Sequence, residues 1–148
     1  MVTPTSSFAF LAPYGPLYLR LATTAERTLA VDPSLTLVSL RQLAEAFARY
    51  AAARAGVPTD GRDGPVSQIE LLRALEQRGV VRDQIAEIFH MLRRVGNKAT
   101  HDFVGSHQDA LNGLQLGFKL ACWFHRSFGD SHARGAWKPP SYAPPTDP

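Results

Sequence analysis

The sequence holds a single cysteine, Cys122, which excludes an internal disulfide and any Cys-rich zinc module. No apolar run approaches the ~18 residues that a membrane span needs. Neither GxxxxGK[ST] nor GxGxxG occurs, so the phosphate-cradling loops of a nucleotide-driven motor or a kinase are missing. Met1–Ser7 contains no Lys or Arg, unlike the charged start of a secretory leader. Lysine is scarce, 3 against 13 arginines. His107 and His132 stand outside any metal-ligand spacing, so no metal and no other cofactor is assigned to the chain. A reduced, soluble, cytoplasmic protein with no membrane contact is the expectation.

What is present is enough for one domain. At 148 residues the chain can bury a core without covalent staples. The net charge of +3 is spread among acids rather than gathered into a basic stripe. Met1–Pro13 reads as an extended lead-in. Pro16 suits a helix's first turn, and Asp32-Pro33 stops that helix. Leu37, Leu40, Leu43, Ala44, Phe47 and Ala51 repeat at helical intervals, predicting a second helix from Ser34 to Ala55 before Gly56. Thr59–Pro65 is turn-rich. Ser67 and Glu70 read as a capping box opening a third helix to Arg78. A fourth helix starts near Arg82 with the stripe Ile85, Ile88, Phe89 and Leu92, and Gly96-Asn97 is expected to interrupt or kink it. A fifth spans Gln108–Phe128. Ser131–Pro148 carries five of the eleven prolines and no periodicity, and reads as a tether or an edge-hugging tail. The expected fold is an all-α bundle of about five helices, residues 1–130, with a Pro-rich tail or linker, residues 131–148.

The most informative stretch is Arg93-Arg94-Val95-Gly96-Asn97-Lys98-Ala99-Thr100-His101. At about 100° per residue, Arg94, Asn97 and His101 fall within about 60° of one another if the helix continues, and His90 joins them. Arg94 can grip a phosphate or carboxylate through two hydrogen bonds. His101 has the chemistry of a general acid or base. Together they match what RNA backbone cleavage requires, with Asn97 orienting a phosphate. The same residues also read structurally, with Gly96-Asn97 as a helix cap and the arginines paired to acids. The binding candidates are therefore Arg93, Arg94, Asn97, His101 and His90; Arg94, Asn97 and His101 are the catalytic alternative. Arg41 and Glu45, at i,i+4 among apolar neighbours, form a candidate structural pair, with Arg94 a second candidate partner for Glu45. Trp123, Phe124 and Phe128 read as core packing rather than a base-stacking platform, and Cys122 as a small core hydrophobe.

Several blocks together resemble a known family. They are Phe8-x-Phe10-Leu11, Asp32-Pro33-Ser34-x-Thr36-Leu37-Val38-x-Leu40-Arg41-x-x-x-Glu45, Leu71-Leu72-Arg73-x-Leu75, Phe89-His90-x-Leu92-Arg93-Arg94-Val95-Gly96-Asn97-x-Ala99-x-His101 and Leu116-Gly117-Phe118-x-Leu120-Ala121-x-Trp123. The pattern resembles the N-terminal helical domain of the restriction (R) subunit of type I restriction–modification enzymes, over roughly Phe8 to Pro145. That domain is in turn similar to the HEPN superfamily, all-α bundles often marked by an Arg and, four to six residues further on, a His. Arg94 and His101 fit with six residues between them. Val95 stands where active members often carry a polar residue.

The resemblance implies a non-catalytic interaction domain. Its partners would be the rest of the R subunit, the modification (M) subunit, or DNA. The parent enzyme would translocate and cleave foreign DNA using ATP and magnesium, through domains outside this chain. The alternative it implies is a metal-independent HEPN ribonuclease or RNA-binding homodimer that uses Arg94 and His101.

Overall fold

The computed structural model describes residues 6–102 and 105–145. The parts of the expected lead-in and tail at residues 1–5 and 146–148 lie outside them. The fold is the expected all-α bundle. Five long helices make it: α1 (Pro16–Thr28), α2 (Pro33–Ala55), α3 (Gln68–Gln77), α4 (Asp83–Asp102) and α5 (His107–Phe128). A 3-10 helix at Ala9–Tyr14 replaces the extended lead-in, and the short α6 (Ser131–Arg134) follows α5. The Thr59–Pro65 turn region closes as a two-residue ladder, β1 (Asp60–Gly61) antiparallel to β2 (Gly64–Pro65).

Helix α2 is the axis of the bundle and packs against α1, α3, α4 and α5. Its sequence explains this position. Leu37, Leu40, Leu43, Phe47 and four alanines are buried on several sides at once, so it is apolar nearly all round. Asp32 caps its start by accepting from the Ser34 amide, Pro33 occupies the first turn, and Gly56 ends it at φ 73°. Thr36, fully buried on α2, donates to the Ala25 carbonyl at 2.9 Å and lies 2.9 Å from the Thr28 hydroxyl, tying α1 to α2.

One aromatic layer fills the end of the bundle near the α1 start. Phe47 and Phe124 stack at 4.4 Å, with Tyr18, Tyr50, Tyr14 and Phe128 around them. Phe124 is thus core, and Trp123 packs edge-on against Phe89 and Phe128.

Two further expectations change. Helix α4 runs unbroken through Gly96 and Asn97 to Asp102. The Ser67 cap forms only its first half: its hydroxyl accepts from the Glu70 amide, and no return bond from the Glu70 side chain is made. A complete capping box sits instead at Ser106 and Asp109, opening α5. Of the two forms expected for the chain after Gly129, a tether or an edge-hugging tail, the structure has the second. Trp137 packs on Phe10 and His125, Tyr142 on Phe118, and Ser7 exchanges hydrogen bonds with the backbone of Ala143.

Candidate functional site: the outer ridge of α4

The unbroken α4 sets the geometry of the site. Its apolar stripe, Ile88, Phe89, Leu92 and Ala99, faces the core, so the opposite side of the same helix faces outward. Gly96 lies at the crossing with α2. A Cβ there would come 2.4 Å from Arg41 Cβ, so glycine is needed for the close approach of the two helices. That approach lays the Arg41 stem across α4, and its Nη1 donates to Asn97 Oδ1 at 3.2 Å. Arg41 Nε sits 3.8 Å from Glu45 Oε1, an ion pair too long for a hydrogen bond. The expected Arg41–Glu45 pair is therefore present, half-exposed, and shared with α4.

The other candidates divide by position. His90 Nε2 meets Glu76 Oε1 of α3 at 2.9 Å. Arg93 is half-buried, and its Nε has no hydrogen-bond partner among the described residues. Arg94, Lys98 and His101 stand exposed one after another along the helix, and none of them makes a side-chain hydrogen bond or ion pair among the described residues. Glu45 takes Arg41, not Arg94, as its cation. Arg94, Asn97 and His101 thus share a side as the spacing predicted, yet Asn97 is engaged by Arg41 while the other two point to water.

The sequence reading missed Lys98 and the tie from Arg41 to Asn97. The signal was there in Gly96: a glycine inside an otherwise helical pattern marks close packing as readily as a stop.

A cavity of about 440 Å³ lies nearby between α4, α5 and the tail, lined by Ile88, Phe118, Cys122, Trp123 and Pro139, and takes in neither Arg94 nor His101. No group of three or more metal-ligating side chains occurs among the described residues. Burial shifts titrations on α5 and at the 3-10 helix. Burial pushes the Cys122 thiol up to about 11 and the Tyr14 hydroxyl up to about 12. Burial holds His125 below its ordinary value, against the opposing pull of Asp130. Tyr14 and His125 Nδ1 share a 2.6 Å hydrogen bond. The outer face of α4 is charged in both signs, with Arg94 and Lys98 exposed alongside Asp83, Glu87 and Asp102.

A small all-α domain with an exposed, charged outer helix face is the class this structure defines. The family described as a domain of unknown function, DUF4145, matches residues 23–119, and the chain belongs to it. The chain is also similar to the Type I restriction enzyme EcoKI endonuclease subunit of Escherichia coli (strain K12). The two are 36% identical over 121 residues, which is 82% of this chain and 10% of that protein. The chain thus spans about a tenth of its relative's length and is related to a type I restriction enzyme subunit. No solved structure matches. No helix among the described residues is long and apolar enough to cross a membrane.

Proposed function

We propose that the chain is a non-catalytic interaction domain at the N-terminal end of a type I restriction R subunit. It would serve cytoplasmic defence against foreign DNA and dock on the rest of that subunit or on the M subunit. The observation that carries this reading is the match itself: most of this chain aligns with about a tenth of a restriction endonuclease subunit. The motor and nuclease, with their ATP and magnesium, then belong to the remaining polypeptide. The exposed His101, unpartnered among the described residues, supports the non-catalytic part, because a general base works best when sheltered and oriented.

Co-elution tests it. The 148-residue chain is mixed with the M subunit, and separately with the remainder of the R polypeptide, and run on a sizing column. Co-elution with either is expected; separate elution from both would overturn the reading. A longer reading frame beside methyltransferase and specificity genes is the expected gene context.

A second reading, a HEPN-type metal-independent ribonuclease or RNA-binding dimer, is favoured by one observation: the unbroken α4 puts Arg94, Asn97 and His101 on one side. Enclosing RNA against side chains this exposed would need a second copy facing them. The expected result is a monomer that leaves RNA intact. A dimer whose RNA cleavage is lost in both Arg94→Ala and His101→Ala, with both variants folded, would establish the second reading instead.

A further inference from the structure

The cavity between the start of α4, the end of α5 and the tail has a volume of about 440 Å³. Small-molecule sites span about 300–1,000 Å³. Ile85 and Ile88 line it from α4, and Phe118, Cys122 and Trp123 line it from α5. Trp123 packs edge-on against Phe89 and Phe128, so its indole is a fixed surface. Burial holds the Cys122 thiol protonated, and the charge of Arg126 is near enough to pull it the other way. The charged lining is of one sign. Lys119 and Arg126 of α5 line the cavity from exposed positions, and no carboxylate lines it among the described residues. Lys119, Trp123 and Arg126 follow at i, i+4 and i+7, so the two cations bracket the indole along one side of α5. Asp83 and Glu87 of α4 lie outside the lining, and neither pairs with these cations among the described residues. Arg126 is instead seated over the Trp137 ring of the tail, 5.7 Å from its centre.

We infer that this cavity binds a small amphipathic acid, with its apolar body against Trp123, Phe118 and the two isoleucines and its anionic head at Lys119 or Arg126. Three observations select that ligand. First, the lining is largely aliphatic and aromatic, so an apolar body gains by leaving water for it. Second, the two cations at the cavity have no carboxylate partner among the described residues. An anionic head therefore completes them, Arg126 through its fork of donors and Lys119 as a point charge. A cationic head would be repelled, and a neutral ligand would leave both unused. Third, the scale is that of a small molecule. Nine residues line the cavity, whereas a stable protein interface takes about 20–30 on each side.

This inference does not rest on the subunit assignment: binding of an organic acid can fail while co-elution succeeds, and the reverse. The probe is anilinonaphthalene sulfonate, an aromatic body with one anionic group, followed by its fluorescence on the 148-residue chain. Phenylnaphthylamine supplies the same body without the charge. The sulfonate is expected to saturate a single site with micromolar Kd and to be displaced by decanoate but not by decylamine, a cation of the same chain length. Lys119→Ala/Arg126→Ala should weaken the sulfonate at least ~5-fold and leave phenylnaphthylamine within about twofold, since only the charge is removed. Arg20→Ala/Arg27→Ala removes the same charge from exposed positions of α1 and should leave both dyes within about twofold of the parent. Cys122→Leu adds bulk from the cavity wall and should weaken both dyes. Circular dichroism and urea melts confirm that each variant is folded, because a loosened core also binds this dye. The charge variant decides alone if Cys122→Leu is unstable, since both its positions are exposed. Absence of saturable sulfonate binding, equal affinity for the neutral dye, displacement by decylamine, or equal losses in the two double variants would overturn the inference. So would loss of co-elution with the M subunit or the R remainder in Lys119→Ala/Arg126→Ala without any dye binding, which would make the cavity a protein-docking surface.

Discussion

Gly96 shows how one side chain's absence organises the ridge. Glycine inside a helix costs roughly 1 kcal/mol relative to alanine, so propensity alone favours Gly96→Ala. The structure predicts the opposite sign, because the new Cβ would meet Arg41 Cβ at 2.4 Å. Overpacking of this kind costs typically about 1–3 kcal/mol, and urea melts should show a loss in that range. Arg41→Ala should not rescue the variant, because alanine keeps the clashing Cβ. The hydrogen bond beyond it has its own test. A double-mutant cycle on Arg41 and Asn97 should show coupling of about 0.5 kcal/mol or more, whereas Arg94 and Glu45 should be additive within about 0.3 kcal/mol. His125 gives a pH signature. Its fold-depressed pKa means that the unfolded chain binds the proton more readily, so its contribution to stability is complete above about 6.5 and is lost as pH falls below that value. Urea midpoints should decline from about pH 7.5 toward about 5.5, and His125→Gln should flatten that decline.

Each helix is delimited by short-range chemistry, and here the elements differ in how completely they are capped. Ser106 both accepts from the Asp109 amide and has its own amide bonded by the Asp109 carboxylate, so two otherwise orphaned donors are satisfied. Ser67 satisfies one. Ser106→Ala removes the hydroxyl that the Asp109 amide bonds and should cost about 1 kcal/mol, lowering the melting temperature by about 2–4 °C; Asp109→Ala removes the acceptor of the Ser106 amide and should cost a similar amount. Calorimetry on the variants checks this; an unchanged melting temperature for Asp109→Ala would mean that the second bond of the Ser106 box adds nothing. Helix ends at Pro33 and Gly56 were legible because their residues act within one turn. The supposed break at Gly96 was not, because its cause sits on another helix. A glycine that ends a helix and a glycine that admits a neighbour are the same residue in a one-dimensional pattern. Only the Arg41 stem distinguishes them.

Across the molecule as a whole, the segment after Gly129 closes the bundle. Trp137 stacks near Phe10 and His125, with Arg126 over its ring at 5.7 Å, and Tyr142 rests on Phe118. Truncation after Gly129 removes both aromatics and re-exposes the partners they cover. At about 1–1.5 kcal/mol for each half-buried aromatic the loss is about 2–3 kcal/mol, or a melting temperature lower by roughly 5–10 °C. An unchanged melting curve would show that the tail adds no stability. The wrapped tail also shows why the sequence left the choice between tether and edge-hugging tail open. Its prolines announce the end of helical periodicity, but the aromatics that pin it back lie at sequence separations of more than 100 residues from Phe10 and Ser7.

The helical architecture was written in the chain itself. Local periodicity, Pro16, Asp32-Pro33 and the turn residues act over three or four positions, and the physics that makes an amphipathic helix bury one side is already complete at that range. Helical spacing, being arithmetic, likewise put Arg94, Asn97 and His101 on one side of α4. Which of these side chains are engaged was settled by packing between helices. Asn97 is held by Arg41, Glu45 by Arg41 rather than Arg94, and Arg94, Lys98 and His101 stand free among the described residues, because each outcome depends on a helix crossing that brings position 41 against position 96. Such a contact joins residues more than fifty apart, and its energy comes from packing density that no local pattern encodes.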